Sequence, residues 1–168
     1  WEYFFNNMLA DISRHDIIAI ATQEEQPKSL VLQAAETKLK HLFQVINFQG
    51  NPLNVSEKFV VHICVLVKHT IGAVEVHQHD GLILKSVLKN NFLVKNFVPK
   101  GIFVTKSSLP IYITIGHTKI AFYGCHFPFG KQFDDTERDN SLLLVKKHII
   151  DNKPDVAFVF GDLNYRFE

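Results

Sequence analysis

An α/β fold, with two packed mixed β-sheets and helices outside them, is predicted by three observations in these 168 residues. Short apolar runs rich in Val, Ile and Phe recur along the chain, each closed by turn residues. Segments with helical apolar spacing lie at the start, at Ser29 to Phe43 and after Asp134. The strand-rich middle, Lys58 to Cys125, has short turns at Lys68-His69 and Gly116-His117 and so reads as largely antiparallel.

Composition bounds what this fold can be. The chain is 46% hydrophobic and 21% charged with net charge +1, which is the balance of a globular domain. Near-neutrality argues against a general electrostatic grip on nucleic acid, and no nucleic-acid partner is expected. No apolar stretch reaches the length of a membrane span, and none has the layout of a secretory signal. Cys64 and Cys125 sit inside apolar runs and read as buried thiols of a reducing compartment. A chain that starts at Trp1 and stops at Glu168, directly after its most polar motif, predicts a single partial domain over 1–168. A buried strand at a chain end, with an open pairing edge, predicts poor solubility for such a piece.

In order, Trp1, Phe5, Met8 and Ile12 make an amphipathic helix. Asp16 to Ala21 is a buried strand with Gln23-Glu24-Glu25 at its carboxyl end. A helix follows over Ser29 to Phe43, with Lys38, Lys40 and His41 near its end, where the dipole favours cations. Gln49-Gly50-Asn51-Pro52 is a loop. Lys58 to Lys68 is a long strand, expected to pair with Thr70 to His77. His77 and His79 form an H-x-H pair, but turn residues flank them and no third ligand follows nearby. Leu82 to Leu88, Ile102 to Thr105, Ile111 to Ile115 and Lys119 to Cys125 are further strands, and His126 closes the last. Asp134 caps the next helix, with Glu137 completing a capping box and Leu142, Val145 and Ile149 forming its buried stripe. Asn152-Lys153-Pro154 ends it.

The final strand carries the densest chemistry. Phe158-Val159-Phe160 is apolar, and Gly161-Asp162-Leu163-Asn164-Tyr165-Arg166 follows at its carboxyl end, where ligands of open α/β sheets gather. Asp162 and Asn164 share a face in extended geometry. A carboxylate able to hold water or metal then lies beside an amide that both donates and accepts. Arg166 adds a cation suited to phosphate. The same residues also read as an Asp-x-Asn turn that satisfies only its own backbone. Glu24 and His126 occupy equivalent strand-end positions, and carboxylates from two such ends can converge on a metal.

Gln23-Glu24, His126 and Gly161-Asp162-Leu163-Asn164, each after a strand and in this order, resemble the endonuclease/exonuclease/phosphatase superfamily. The longer Phe160 to Arg166 stretch resembles the signature of inositol polyphosphate 5-phosphatases. Glu137-Arg138-Asp139-Asn140 is similar to that family's E-R-x-N helix start, and Lys100-Gly101 to its N-K-G strand start. The resemblance spans about Asp16 to Arg166. Pro99 stands where the family commonly has Asn, and Phe127-Pro128-Phe129-Gly130 replaces L-A-A-H. The family's upstream Asn strand and its later P-A-W-x-D-R and S-D-H segments have no counterpart here.

The resemblance implies a DNase I-like sandwich, incomplete at both ends, and Mg²⁺-dependent hydrolysis of the 5-phosphate of an inositol polyphosphate or phosphoinositide. It implies Glu24 as the Mg²⁺ ligand, with Glu25 the alternative if the register slips by one. Asp162 would orient or deprotonate the attacking water, and Asn164 and His126 would hold the scissile phosphate. Arg138, Asn140, Lys100 and Arg166 would line the substrate. A lipid substrate would bring a cytoplasmic protein to the membrane surface, although no basic amphipathic helix is present to dock it. A phosphodiesterase of the same superfamily, or a catalytically inert piece serving as an interaction module, are the competing expectations.

Overall fold

The computed structural model describes residues 7, 11–25, 30–48, 60–78, 81–88, 102–129 and 135–165. In chain order these form β1 (Ile17–Glu25), α1 (Leu30–Leu39), β2 (Phe43–Phe48), β3 (Val60–Lys68), β4 (Val74–Gln78) and β5 (Leu82–Leu88). They continue with β6 (Ile102–Ile115), β7 (Thr118–His126), α2 (Thr136–Asn152) and β8 (Val156–Asp162). Asn7, Asp11 and Ile12 are helical ahead of β1.

Four layers result: α1, a sheet of order β1-β3-β2, a sheet of order β4-β6-β7-β8 with β5 also on β6, and α2. The first sheet is antiparallel. In the second, only β7 and β8 run parallel, joined by the α2 crossover. β3 explains why its sequence is apolar without alternation. Its Val61, Ile63, Val65 and Val67 meet Leu109, Ile111, Ile113 and Phe122 between the sheets. Its Cys64 and Leu66 face the other way, onto Ile12, Ala34, Ala35, Leu39 and Phe43. A strand buried on both faces has no polar side to show. The sheets approach closely at Gly124, where a Cβ would lie 3.1 Å from that of Ala21 and 3.2 Å from that of Ile63.

Several expectations change in this fold. Thr70 to His77 does not pair with β3, because β1 and β2 already occupy both edges of that strand. A 3₁₀ turn at His69–Ile71 and Gly72, at φ 94°, carry the chain to the second sheet, where β4 pairs with β6 from Val74↔Ile115. The helix after residue 29 stops at Leu39, and Phe43 opens β2 instead of closing the helix. Ile102–Ile115 is one strand, not two. Pro110 is tolerated inside it because β5 pairs only as far as Ser108 and β4 starts at Ile111. The missing N–H thus falls between two partners. The N-cap of α2 is Asp135, one residue later than expected and without a side-chain capping bond. Its buried residues are Arg138, Ser141 and Val145, while Leu142 is 40% exposed. His77 is exposed beside Glu75, and His79 lies outside the described residues.

Candidate active site at the ends of β7 and β8

Strand alternation delivers the site. On β7, Ile120, Phe122 and Gly124 face the first sheet, and His126 is next in that series. On β8 the in-register partners are Val156, Phe158, Phe160 and Asp162. His126 and Asp162 are therefore neighbours on one face, at the point where both strands end. His126 Nε2 lies 3.7 Å from Asp162 Oδ2. The His126 side chain is 2% exposed, whereas that of Asp162 is 48% exposed. A buried base beside an accessible carboxylate can present that carboxylate to a water or an ion.

Gly161 makes the juxtaposition sterically possible. Its φ is 117°, and a Cβ there would press into the carbonyl oxygen of Cys125 and lie 2.9 Å from Gln23 Nε2. Gln23 Nε2 donates to that same carbonyl at 3.4 Å, which brings the end of β1 against the ends of β7 and β8. Glu24 follows Gln23 in β1, so its backbone lies in the strand segment that reaches the cluster. After the strand, Asn164 takes the left-handed conformation, φ 56°, which an Asn accepts more readily than most residues. Its N–H donates to Asp162 Oδ1 at 3.0 Å, and its Nδ2 donates to the Phe127 carbonyl at 2.8 Å. With Phe127 N–H bonded to the Asp162 carbonyl at 2.8 Å, the two exit loops are tied together.

Arg138 is drawn into a different arrangement. Only 3% exposed, it pairs with Asp135 and lies over the Tyr165 ring, 5.8 Å from its centroid. Tyr165 in turn donates to Asp139 Oδ1 at 2.7 Å. Burial, then the hydrogen bond to Asp139 and the charges of Asp139 and Asp135, push the Tyr165 phenol up to about 12, against the lowering effect of Arg138. The phenol stays a donor at neutral pH. Asn140 is exposed on α2, and Lys100 and Arg166 lie outside the described residues.

Sequence reasoning passed over two residues here. Gln23 was visible only as the neighbour of Glu24. Lys106 contacts His126 Nε2 through its ammonium, and between Thr105 and Ser107-Ser108, past the expected end of a strand, it carried no signal. Burial raises the Cys125 thiol to about 11, although the hydrogen bond to Ser108 opposes this, so the environment disfavours its thiolate.

Among the described residues, no group of three or more His, Cys, Asp and Glu is placed to hold a metal. A hard cation that keeps most of its waters needs no such cluster. The oxygen donors of Asp162 and of the acidic end of β1 suit it chemically. No helix among the described residues is long and apolar enough to cross a membrane.

The fold matches solved structures. Truncated Caenorhabditis elegans TDP2 superposes with TM-score 0.56 at 17% identity, over 98% of this chain and 55% of that one. A mannosyl-6-phosphatase of Bacteroides thetaiotaomicron gives 0.57 at 12%, over 97% and 55%. D. rerio TDP2 complexed with single strand DNA product gives 0.53 at 14%, over 99% and 54%. The chain thus spans about half the length of these structures, and the likeness establishes the fold. Among curated proteins there is no match. The DNA-bound neighbour overturns the expectation that nucleic acid is excluded: near-neutral net charge restrains binding along a duplex, but not a site that grips one phosphate. Residues 3–168 match the model of endonuclease/exonuclease/phosphatase family 2, and the chain belongs to that family.

Proposed function

We propose that this chain carries a Mg²⁺-dependent phosphoester hydrolase site whose substrate is an inositol polyphosphate or phosphoinositide, losing its 5-phosphate. The observation that carries the hydrolase reading is the His126–Asp162 pair at 3.7 Å at the joined ends of β7 and β8. Asp162 would orient the attacking water and take its proton. Asn164, held by Phe127 through one N–H of its amide, would offer the other to the scissile phosphate. His126 would steady the same phosphate as charge develops. Glu24 would hold Mg²⁺, which when bound neutralises phosphate charge and lowers the pKa of the attacking water. Arg166, Lys100 and Asn140 would contribute to the substrate-facing lining.

Two motifs far apart in sequence support the finer reading. The Tyr165-Arg166 extension and the Glu137-Arg138-Asp139-Asn140 helix start meet through the Tyr165–Asp139 hydrogen bond and the Arg138–Tyr165 contact. Arg138 would then act from beneath the site, fixing the loop that follows Asn164. A cytosolic enzyme of this kind would meet lipid substrates at the membrane surface. The DNA-bound structural neighbour favours a second reading, hydrolysis of a phosphodiester in nucleic acid.

Phosphate release from 5-phosphorylated inositides and inositol phosphates, beside cleavage of single-stranded DNA, separates the two readings. The protein should be assayed at its natural length with Mg²⁺. Phosphate release from the inositol panel is expected. Cleavage of DNA with an inert inositol panel would replace the first reading with the second.

A further inference from the structure

Helix α2 is built inside out. Its inner face buries Arg138, Ser141 and Val145, with His148 and Asn152 half-buried beside them. The polar members of that face have inward partners: Arg138 pairs with Asp135, Ser141 Oγ donates to the Glu137 carbonyl, and His148 lies against the Tyr123 hydroxyl. The large apolar residues point the other way. Leu142, Leu143, Leu144 and Ile150 are all exposed, Leu143 and Ile150 by more than half. A helix that faced only water would turn such residues inward.

Charge is divided along the same outer face. Asp139, Leu143 and Lys147 stand four residues apart and lie one above another, and Ile150 continues the stripe. Glu137 and Asp139 make the first turn acidic, Lys146 and Lys147 make the middle basic, and Asp151 is exposed at the far end. The helix dipole favours acids at the first turn, but it does not place a leucine between acid and base. A stripe ordered acid, leucine, base is complementary to itself when reversed. That order selects a second copy of the chain over an anionic membrane, which would repel Glu137 and Asp139.

We propose that the outer face of α2 binds a second copy of this chain, the two helices running antiparallel about a two-fold axis at Leu143, with Asp139 of each copy level with Lys147 of the other. Such a contact is isologous and closes at two copies. Asp139 Oδ1 accepts from Tyr165, and a carboxylate has a second oxygen to offer an ammonium. The inference does not depend on which ester the site cleaves. One helix pair is a small interface, so the dimer is weak and concentration-dependent.

Sedimentation of the natural-length protein tests this. The wild type should pass from one copy to two between about 1 and 100 μM, the range of a micromolar dissociation constant. Leu143→Lys should stay a single copy. Lys147→Glu and Asp139→Lys should each weaken association by about tenfold or more, because each sets like charges opposite one another. An equimolar mixture of those two variants should restore it, since both contacts are again opposite in sign, and a misfolded variant could not produce that recovery. Leu143→Cys should give a disulfide-linked dimer on air oxidation, the native Cys64 and Cys125 being buried. Ile150→Cys should not, because its two copies would stand about 20 Å apart along the helices. A wild type that remains a single copy overturns the inference, as does unchanged association in Leu143→Lys or equal cross-linking at positions 143 and 150. Binding to anionic vesicles by a protein that stays a single copy would also overturn it and assign the face to a membrane.

Discussion

Two histidine-centred polar clusters are built on β7 and differ in how they are closed. On the outer face of the second sheet, the Tyr112 and Tyr123 hydroxyls bond to each other, and His148 Nδ1 of α2 lies 2.8 Å from Tyr123 Oη and 3.4 Å from Tyr112 Oη. Both tyrosines are fully buried in the same cluster as Val145, and burial is the first cause that raises both phenols. At the strand end, His126 is equally buried, but its neighbours Lys106 and Asp162 are charged and Asp162 reaches solvent. The first cluster joins two phenols and an imidazole to one another and fastens a helix to a sheet. The second gathers a cation, a base and an acid where water can enter. The contrast lies in the partners: phenols for the half-buried His148, and charged groups with one route to solvent for the buried His126.

That contrast can be broken at several points. Gly161→Ala should have the largest effect, because it combines a positive φ with a collision at the Cys125 carbonyl. A loss of at least about 2 kcal/mol in unfolding free energy is expected, since each such strain costs of order 1–3 kcal/mol. Chemical denaturation measures it, and a fully stable variant would show that β7 and β8 are not held as close as described. Tyr123→Phe should cost about 1–3 kcal/mol, the penalty for stranding buried partners, and leave phosphate binding unchanged. If it abolished phosphate binding instead, the two clusters would not be separable.

The thiols give a smaller effect with a definite sign. Burial raises Cys64 to about 12, with the Glu36 charge adding to it, and raises Cys125 to about 11, from 9.0 in each case. The folded state therefore keeps both protons where the unfolded chain releases them. Their contribution is fully present below pH 9 and declines as pH rises through about 11 to 12. Thiolate absorbance should appear near pH 9 in unfolded protein and well above it in native protein. Coincident curves would mean that the interior beside His126 is wet.

Much of this was legible beforehand where burial writes itself into sequence. β3 and β7 are apolar runs that the fold buries, whereas β1 is only half-buried and β8, read as a buried strand, leaves Val156 42% and Phe158 51% exposed; the polar residues that close β7 and β8 stood out against both runs. β2 was lost because Leu42 and Phe43 extend the apolar spacing of α1, and both do pack on the α1 side, but Phe43 from a strand and Leu42 from the turn before it. Pro110 divided β6 on paper, since only the register reveals that it falls between β5 and β4. In the site, Asp162, Asn164 and His126 followed from strand ends. Lys106 and the pairing of Arg138 with Asp135 and Tyr165 did not, because a bulge and a tertiary meeting create them. Periodicity carries no trace of either.

The central claim is that the open cluster does chemistry and does not hold the fold together. Asp162→Ala tests it most directly, with Mg²⁺-dependent phosphate release and the unfolding midpoint measured on the same natural-length protein. Turnover should fall by at least about 10²-fold, the lower bound for a positioned acid–base group, while the midpoint stays near wild type. Unchanged turnover, or a lost fold with activity falling only in proportion, would contradict the account.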